Sequence, residues 1–157
     1  MLNDPMGRSH AFADVSAVVR RRMAKIGSTG TRPEMLVRRT LHGLGYRFRL
    51  HRRDLPGSPD LVFPARRKVI FVHGCFWHRH ACTLARKVPR TRQEYWGPKL
   101  SRNVERDRIA VSSLEELGWG TLTIWECELA DMVSTTARLK RFLGEPGQCD
   151  ELIKRGT

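Results

Sequence analysis

A chain of 157 residues, 40% apolar and 29% charged, has the size and mixture of one soluble folded domain rather than a disordered segment. Its 29 Lys+Arg against 16 Asp+Glu leave a formal charge of +13, which points to a polyanionic partner because protein cations displace the counterions condensed on phosphates. No apolar run approaches the ~20 residues that span a bilayer, and MLNDPMGRSHAFAD lacks the basic and apolar segments of a secretion signal, so a cytoplasmic protein is expected.

Residues 1–13 read as a poorly ordered tail, and DVSAVVRRRMAKI (14–26) as a short helix with a basic face. GSTGT (27–31) is a flexible break. Thr31 and Glu34 then form a T-x-x-E capping pattern. Leu36, Val37, Thr40, Leu41 and Leu44 follow at helical spacing until Gly43 and Gly45. YRFRLH (46–51) alternates like a strand, and DLPGSP has turn chemistry. DLVF (60–63) and KVIFV (68–72), joined by PARR, predict a hairpin. A loop runs from there to residue 96. Val104, Ala110, Val111, Leu114 and Leu117 mark a helix over 102–117, closed by Gly118. TLTIWE (121–126) predicts a buried strand and 133–143 a last helix. The order is helix, three strands, helix, strand, helix. It predicts an α/β domain over 14–145, a central mixed sheet flanked by helices, with a polar tail over 146–157. The basic residues are spread along the chain rather than gathered on one amphipathic helix, which favours nucleic acid over a membrane surface.

The loop FVHGCFWHRHAC (71–82) holds three of the six histidines and two of the four cysteines. Four cysteines in a reducing compartment suggest metal or free thiols before disulfides. Cys75, His80 and Cys82 lie within eight residues, and Cys127 directly follows the last strand. Three thiolates and one imidazole are a Zn2+ donor set, and such a cross-link would anchor a long loop that has little core of its own. His78 can take the place of His80 in this set, and buried thiols with surface histidines are the metal-free alternative. Cys149, in the polar tail, has no evident role.

Asp60 opens the first hairpin strand, where a carboxylate can hold Mg2+, a hard cation that takes oxygen ligands. The hairpin returns Val72 and His73 beside it. His73 and His78 then lie within reach of a phosphate, and an imidazole can take a proton from water near neutral pH. Cation and base together suit phosphodiester cleavage. Each residue has a structural alternative: Asp60 as a turn residue, His73 as packing, Glu34 as a helix cap. Phe76-Trp77 and Tyr95-Trp96, among many arginines, can stack on bases or form a minor core over the zinc site.

These residues resemble the very short patch repair (Vsr) endonucleases. The likeness is carried by LPGSPD (55–60), FVHGCFWHRHAC (71–82), KVPRTRQEYW (87–96), NVERD (103–107) and GWGTLTIWEC (118–127), and it runs from about Met23 to Cys127. The resemblance implies a restriction-endonuclease-like core and an enzyme that nicks one DNA strand 5′ to the thymine of a T:G mismatch, the product of 5-methylcytosine deamination. It implies that Asp60 binds the catalytic Mg2+ with the main-chain carbonyl of Val72. His78 becomes the general base, assisted by His73 and Glu34, although spacing leaves open which of the two histidines takes the proton. Structural Zn2+ falls to Cys75, His80, Cys82 and Cys127. Phe76, Trp77 and Trp96 enter the DNA stack beside the mismatch, Met23 enters from the other side, and Lys99 and Asn103 contact the mismatch region or nearby backbone.

Two departures constrain the reading. The wider nuclease fold carries an acidic residue and a lysine on its second strand; here that place reads IFVHG, so a histidine-based mechanism is required. The loop reads His78-Arg79-His80-Ala81, so any role for a histidine at 79 or 81 is absent. The partner expected is mismatched double-stranded DNA, met by a monomer in the cytoplasm at the nucleoid, with contacts to other repair proteins. The competing readings are a non-catalytic zinc-stabilised nucleic-acid-binding module and a related nuclease of different specificity.

Overall fold

The computed structural model describes residues 29–85 and 93–147. Four strands and three α-helices follow one another among the described residues in the expected order. The chain divides into two compact units, residues 1–31 and 32–157, and every element described belongs to the second. The tail at 1–13, the helix expected over 14–26 with Met23, and Cys149 lie outside the described residues, as does the C-terminal tail beyond Gly147.

Helix α1 (Arg32–Gly43) buries Val37 and Leu41 as its spacing predicts and Glu34 with them, while Leu36, counted in the same spacing, is exposed. It ends where Tyr46 N–H bonds Leu41 O at 3.0 Å across Gly45, whose φ of +91° favours glycine. Tyr46 then plunges into the core, its hydroxyl donating to Gly144 O at 2.6 Å. The strand expected over 46–51 is therefore only β1 (Arg49–Leu50). It stops because His51 turns into the left-handed region at φ 45°.

β2 (Leu61–Phe63) and β3 (Lys68–His73) form the expected antiparallel hairpin, with Leu61 opposite Ile70 and Phe63 opposite Lys68. The link PARR is a 3-10 turn, Pro64–Arg66. β4 (Gly120–Trp125) lies parallel to β3, with His73 opposite Trp125, giving a mixed sheet in the order β1-β2-β3-β4. β4 is less buried than expected, with only Ile124 fully enclosed. Side chains alternate across the sheet. Leu61, Phe63, Ile70 and Ile124 pack against Val37 and Leu41 of α1 and Leu139 and Leu143 of α3 (Met132–Leu143). Val62, Val69 and Phe71 pack on the other side with Leu55 and Leu114.

Leu114 belongs to α2, which runs Gln93–Glu116 and so begins nine residues before the expected start. Gly97-Pro98 reads as a breaker, because proline lacks the N–H that would bond the carbonyl of residue 94. The helix carries Pro98 within it all the same. Its inward residues are Trp96, Leu100, Asn103, Asp107, Ala110 and Leu114, all buried or half-buried and spaced by three or four. Val104 and Leu117, read as apolar markers of the helix, are exposed. The turn at Gly57 (φ +72°) presses on this helix so closely that a Cβ there would meet Ala110 Cβ at 2.6 Å. No helix among the described residues is long and apolar enough to cross a membrane.

Candidate active site and metal centres

His73 follows Val69 and Phe71 on the α2 face of β3, because alternate residues share a face. It is 8% exposed and stacks parallel on His78, ring centres 3.8 Å apart. Asp107, on the inward stripe of α2, hydrogen-bonds His78 Nδ1 and lies 4.0 Å from His73 Nδ1. A carboxylate only accepts, so Nδ1 of His78 carries the proton and Nε2 of the neutral ring keeps a free lone pair. Burial, together with the neighbouring His78, holds His73 down at about 4, with Asp107 opposing, so His73 is neutral at neutral pH.

Asp60 stands where β2 begins. Its Oδ2 accepts from Val72 N–H at 2.7 Å, which leaves Oδ1 directed toward His51 Nδ1 at 3.8 Å. Burial pushes its carboxyl up to about 6 against the Val72 hydrogen bond; the negative Glu34 adds to the rise, and His51 and His78 oppose it. His78 thus bears electrostatically on Asp60 from across the strand end. Glu34, on the inner face of α1, is 1% exposed and meets His51 Nε2 at 2.9 Å and Arg38 Nη1 at 3.6 Å. Glu34, His51 and Asp60 each offer a ligand atom, all within 4.8 Å of one another. Two carboxylates drawn this close in a poorly solvated setting are the donor chemistry of a divalent cation, and oxygen donors suit Mg2+.

Cys75, His80, Cys82 and Cys127 form a second cluster with ligand atoms inside the same 4.8 Å. Cys127 Sγ lies 3.4 Å from His80 Nδ1, and Cys127 N–H points at Cys75 Sγ at 3.4 Å. Burial pushes the Cys75 thiol up to about 12. Three sulfurs with one nitrogen match the donor set of tetrahedral zinc. The 3-10 turn Glu126–Ala130 after β4 delivers Cys127, and the His80 ring stacks on Trp125 at 4.3 Å. His80 rather than His78 joins this cluster; His78 belongs to Asp107.

Phe76, Trp77 and Trp96 form one edge-to-face group, with ring centres 5.0 to 6.0 Å apart. Trp96 is buried, while Phe76 and Trp77 are half-exposed. Lys99 Nζ lies 5.8 Å from the Trp77 ring and 5.6 Å from the Trp96 ring. Asn103 donates to Trp77 O at 3.2 Å, so α2 holds the aromatic loop in place.

The structure brings together Glu34 and Asp60 at one cluster, His73 and His78 at another, the four zinc candidates, and the three rings with Lys99 and Asn103. Met23 lies outside the described residues. Sequence reasoning missed Asp107 and His51. Ala110 and Leu114 set the phase of the α2 stripe, and stepping back by three and seven from Ala110 reaches Asp107 and Asn103. His51 left no comparable signal, because its placement depends on a left-handed backbone at the end of β1.

The sequence model of the family described as DNA mismatch endonuclease Vsr matches residues 13–84. A type II nicking enzyme, V.XorIIP of Xanthomonas oryzae pv. oryzae, is 51% identical over 121 residues, 77% of this chain and 88% of that protein. The DNA mismatch endonuclease Vsr of Escherichia coli K12 is 48% identical over 152 residues, 92% of this chain and 97% of its own. V.NaeI of Lentzea aerocolonigenes, a type II nicking enzyme, is 42% identical over 137 residues, 81% of each chain. The chain belongs to the Vsr family of DNA mismatch endonucleases.

Proposed function

We propose that this protein nicks one strand of double-stranded DNA on the 5′ side of the thymine in a T:G mismatch, by Mg2+-dependent hydrolysis in a restriction-endonuclease-like fold. The observation that carries the proposal is the join of two clusters at the end of β3: Asp60 with Glu34 and His51, held by the N–H of Val72, and next to Val72 the pair His73 and His78 with Asp107 of α2, where His78 lies in the loop that also carries Phe76 and Trp77. Asp60, with the Val72 carbonyl and Glu34 nearby, would hold Mg2+, which when bound stabilises negative charge on the scissile phosphate. His78 Nε2 takes the proton from the attacking water. Asp107 fixes the tautomer and orientation of His78 and stabilises the imidazolium that forms. His73, kept neutral, stacks against His78 without adding a second positive charge.

Phe76, Trp77 and Trp96 wedge beside the mismatch with Met23 from the opposite side, while Lys99 and Asn103 hold the backbone nearby. A T:G wobble is less well stacked than its neighbours, so unstacking there costs less than in intact duplex and selects the lesion. Zn2+ on Cys75, His80, Cys82 and Cys127 anchors the loop that bears both the base and the rings. The enzyme works as a monomer on nucleoid DNA in the cytoplasm, with access to other repair proteins.

Duplexes of equal sequence containing T:G, T:A or C:G test the reading. The protein with Mg2+ should nick only the first, and Asp60→Ala should bind it without cutting. Equal cutting of all three removes mismatch selection; binding with no cutting under any condition leaves a zinc-stabilised binding module. The relatives named as type II nicking enzymes favour one further reading, a nicking enzyme tied to another sequence context, and duplexes that vary the flanking bases decide it.

A further inference from the structure

His51 has no part in the chemistry assigned to Asp60 and His78, yet its ring lies between the two carboxylates of the cation site. Nε2 is 2.9 Å from Glu34 Oε1 and Nδ1 is 3.8 Å from Asp60 Oδ1. Main-chain bonding places it there: His51 N–H donates to Asp60 O at 3.3 Å, at a residue whose φ of 45° is uncommon outside glycine. The three ligand atoms lie within 4.8 Å of one another, while donors bound at about 2.1 Å around one ion stand roughly 3 to 4.3 Å apart. A small closure of the side chains brings all three onto a single ion. Among the described residues, the charged groups near the cluster include Arg38, 3.6 Å from Glu34, and His78, which bears electrostatically on Asp60.

We infer that His51 is a direct nitrogen ligand of the catalytic cation, so that Glu34, His51 and Asp60 make a site of two carboxylates and one imidazole. Such a site takes Mn2+ or another first-row transition cation more tightly than Mg2+. The reason is ligand chemistry. Mg2+ gains little from nitrogen and gives up its waters reluctantly, whereas imidazole adds affinity along the transition series. The inference rests on Asp60 being the seat of the cation, and its test separates the two claims.

The probe is Mn2+ added to the full-length protein with its cysteine site loaded with zinc, read by electron paramagnetic resonance and spin-echo modulation. Bound Mn2+ should show modulation from a directly coordinated imidazole nitrogen. His51→Gln should abolish that modulation and weaken Mn2+ binding about tenfold or more, while Mg2+ affinity, measured by competition, changes little. Bound Mn2+ without nitrogen modulation in the native protein, or with modulation unchanged in His51→Gln, overturns the role of His51. The first of these outcomes needs no variant and so does not depend on how His51→Gln folds. Asp60→Asn keeps the claims apart: Mn2+ binding lost there but untouched in His51→Gln sinks His51 alone, and binding untouched in both sinks the Asp60 site.

Discussion

Asp107 hydrogen-bonds His78, and in the proposed mechanism it acts through that ring, so its effect should appear in turnover rather than in DNA affinity. Asp107→Asn preserves size but no longer stabilises an imidazolium. The expected loss is roughly 10²–10⁴-fold in single-turnover nicking, with binding of mismatched duplex nearly unchanged and the pH profile altered. An equal loss of binding would instead make Asp107 a structural support. Asp60 carries a stability signature as well. Its folded-state value of about 6 lies above the ordinary 3.8, so the folded state holds that proton more firmly than the unfolded chain. The ionised carboxylate therefore costs stability above pH 6, on the order of 3 kcal/mol, and the cost fades as pH falls toward 4. His73 acts with the opposite sign over a similar range: its folded value of about 4 lies below 6.5, so its contribution is full above 6.5 and is lost as pH falls toward 4. Asp60→Asn isolates the carboxylate. In zinc-loaded, Mg2+-free protein it should raise the melting temperature at pH 7, with the gain shrinking toward pH 4.

The hairpin β2–β3 and the helix α2 meet at the active site from opposite chemical starting points. The hairpin was legible because Leu61-Val62-Phe63 and Val69-Ile70-Phe71 are two short continuous apolar runs joined by PARR. The first turns of α2 were not, because Gly97-Pro98 suppresses local helix propensity while tertiary packing of Trp96 and Leu100 restores the helix. The turn at Gly57 joins these elements. Gly57→Ala sets a Cβ against Ala110 at a φ that disfavours any side chain, and should cost about 1–3 kcal/mol, a fall of roughly 4–10 °C in the melting curve. The start of the loop after β3 is tied to the end of β4 by the cluster of Cys75, His80, Cys82 and Cys127, the proposed zinc site. About one Zn2+ per chain should be bound tightly, and complete chelation should unfold the loop, since structural zinc contributes on the order of 10 kcal/mol. Tryptophan fluorescence reads this directly, because Trp125 stacks on His80 and Trp77 lies in the loop. An unchanged spectrum and melting curve after chelation would refute the structural role.

At the scale of the whole molecule, a charge of +13 makes DNA affinity a salt-dependent quantity. Association with mismatched and matched duplex should weaken steeply and in parallel as salt rises, because the phosphates are shared. The ratio between the two should hold if the proposed mismatch selection comes from unstacking; a ratio that collapsed with salt would place selectivity in charge alone. The amino-acid sequence by itself determined the order of elements, the hairpin, the clustering of Cys75, Cys82 and the loop histidines, and the identity of Asp60, His73 and His78 as chemical groups. These rest on local periodicity and on residue types rare enough to be informative when clustered. That His80 rather than His78 joins the cysteines was decided by the fold. The pairing of Asp107 with His78 and the lodging of His51 between Glu34 and Asp60 were decided only by the tertiary structure. The first needs α2 docked against β3 so that its polar stripe faces a strand end; the second needs a left-handed backbone and a sheet edge held by residues far apart in the chain.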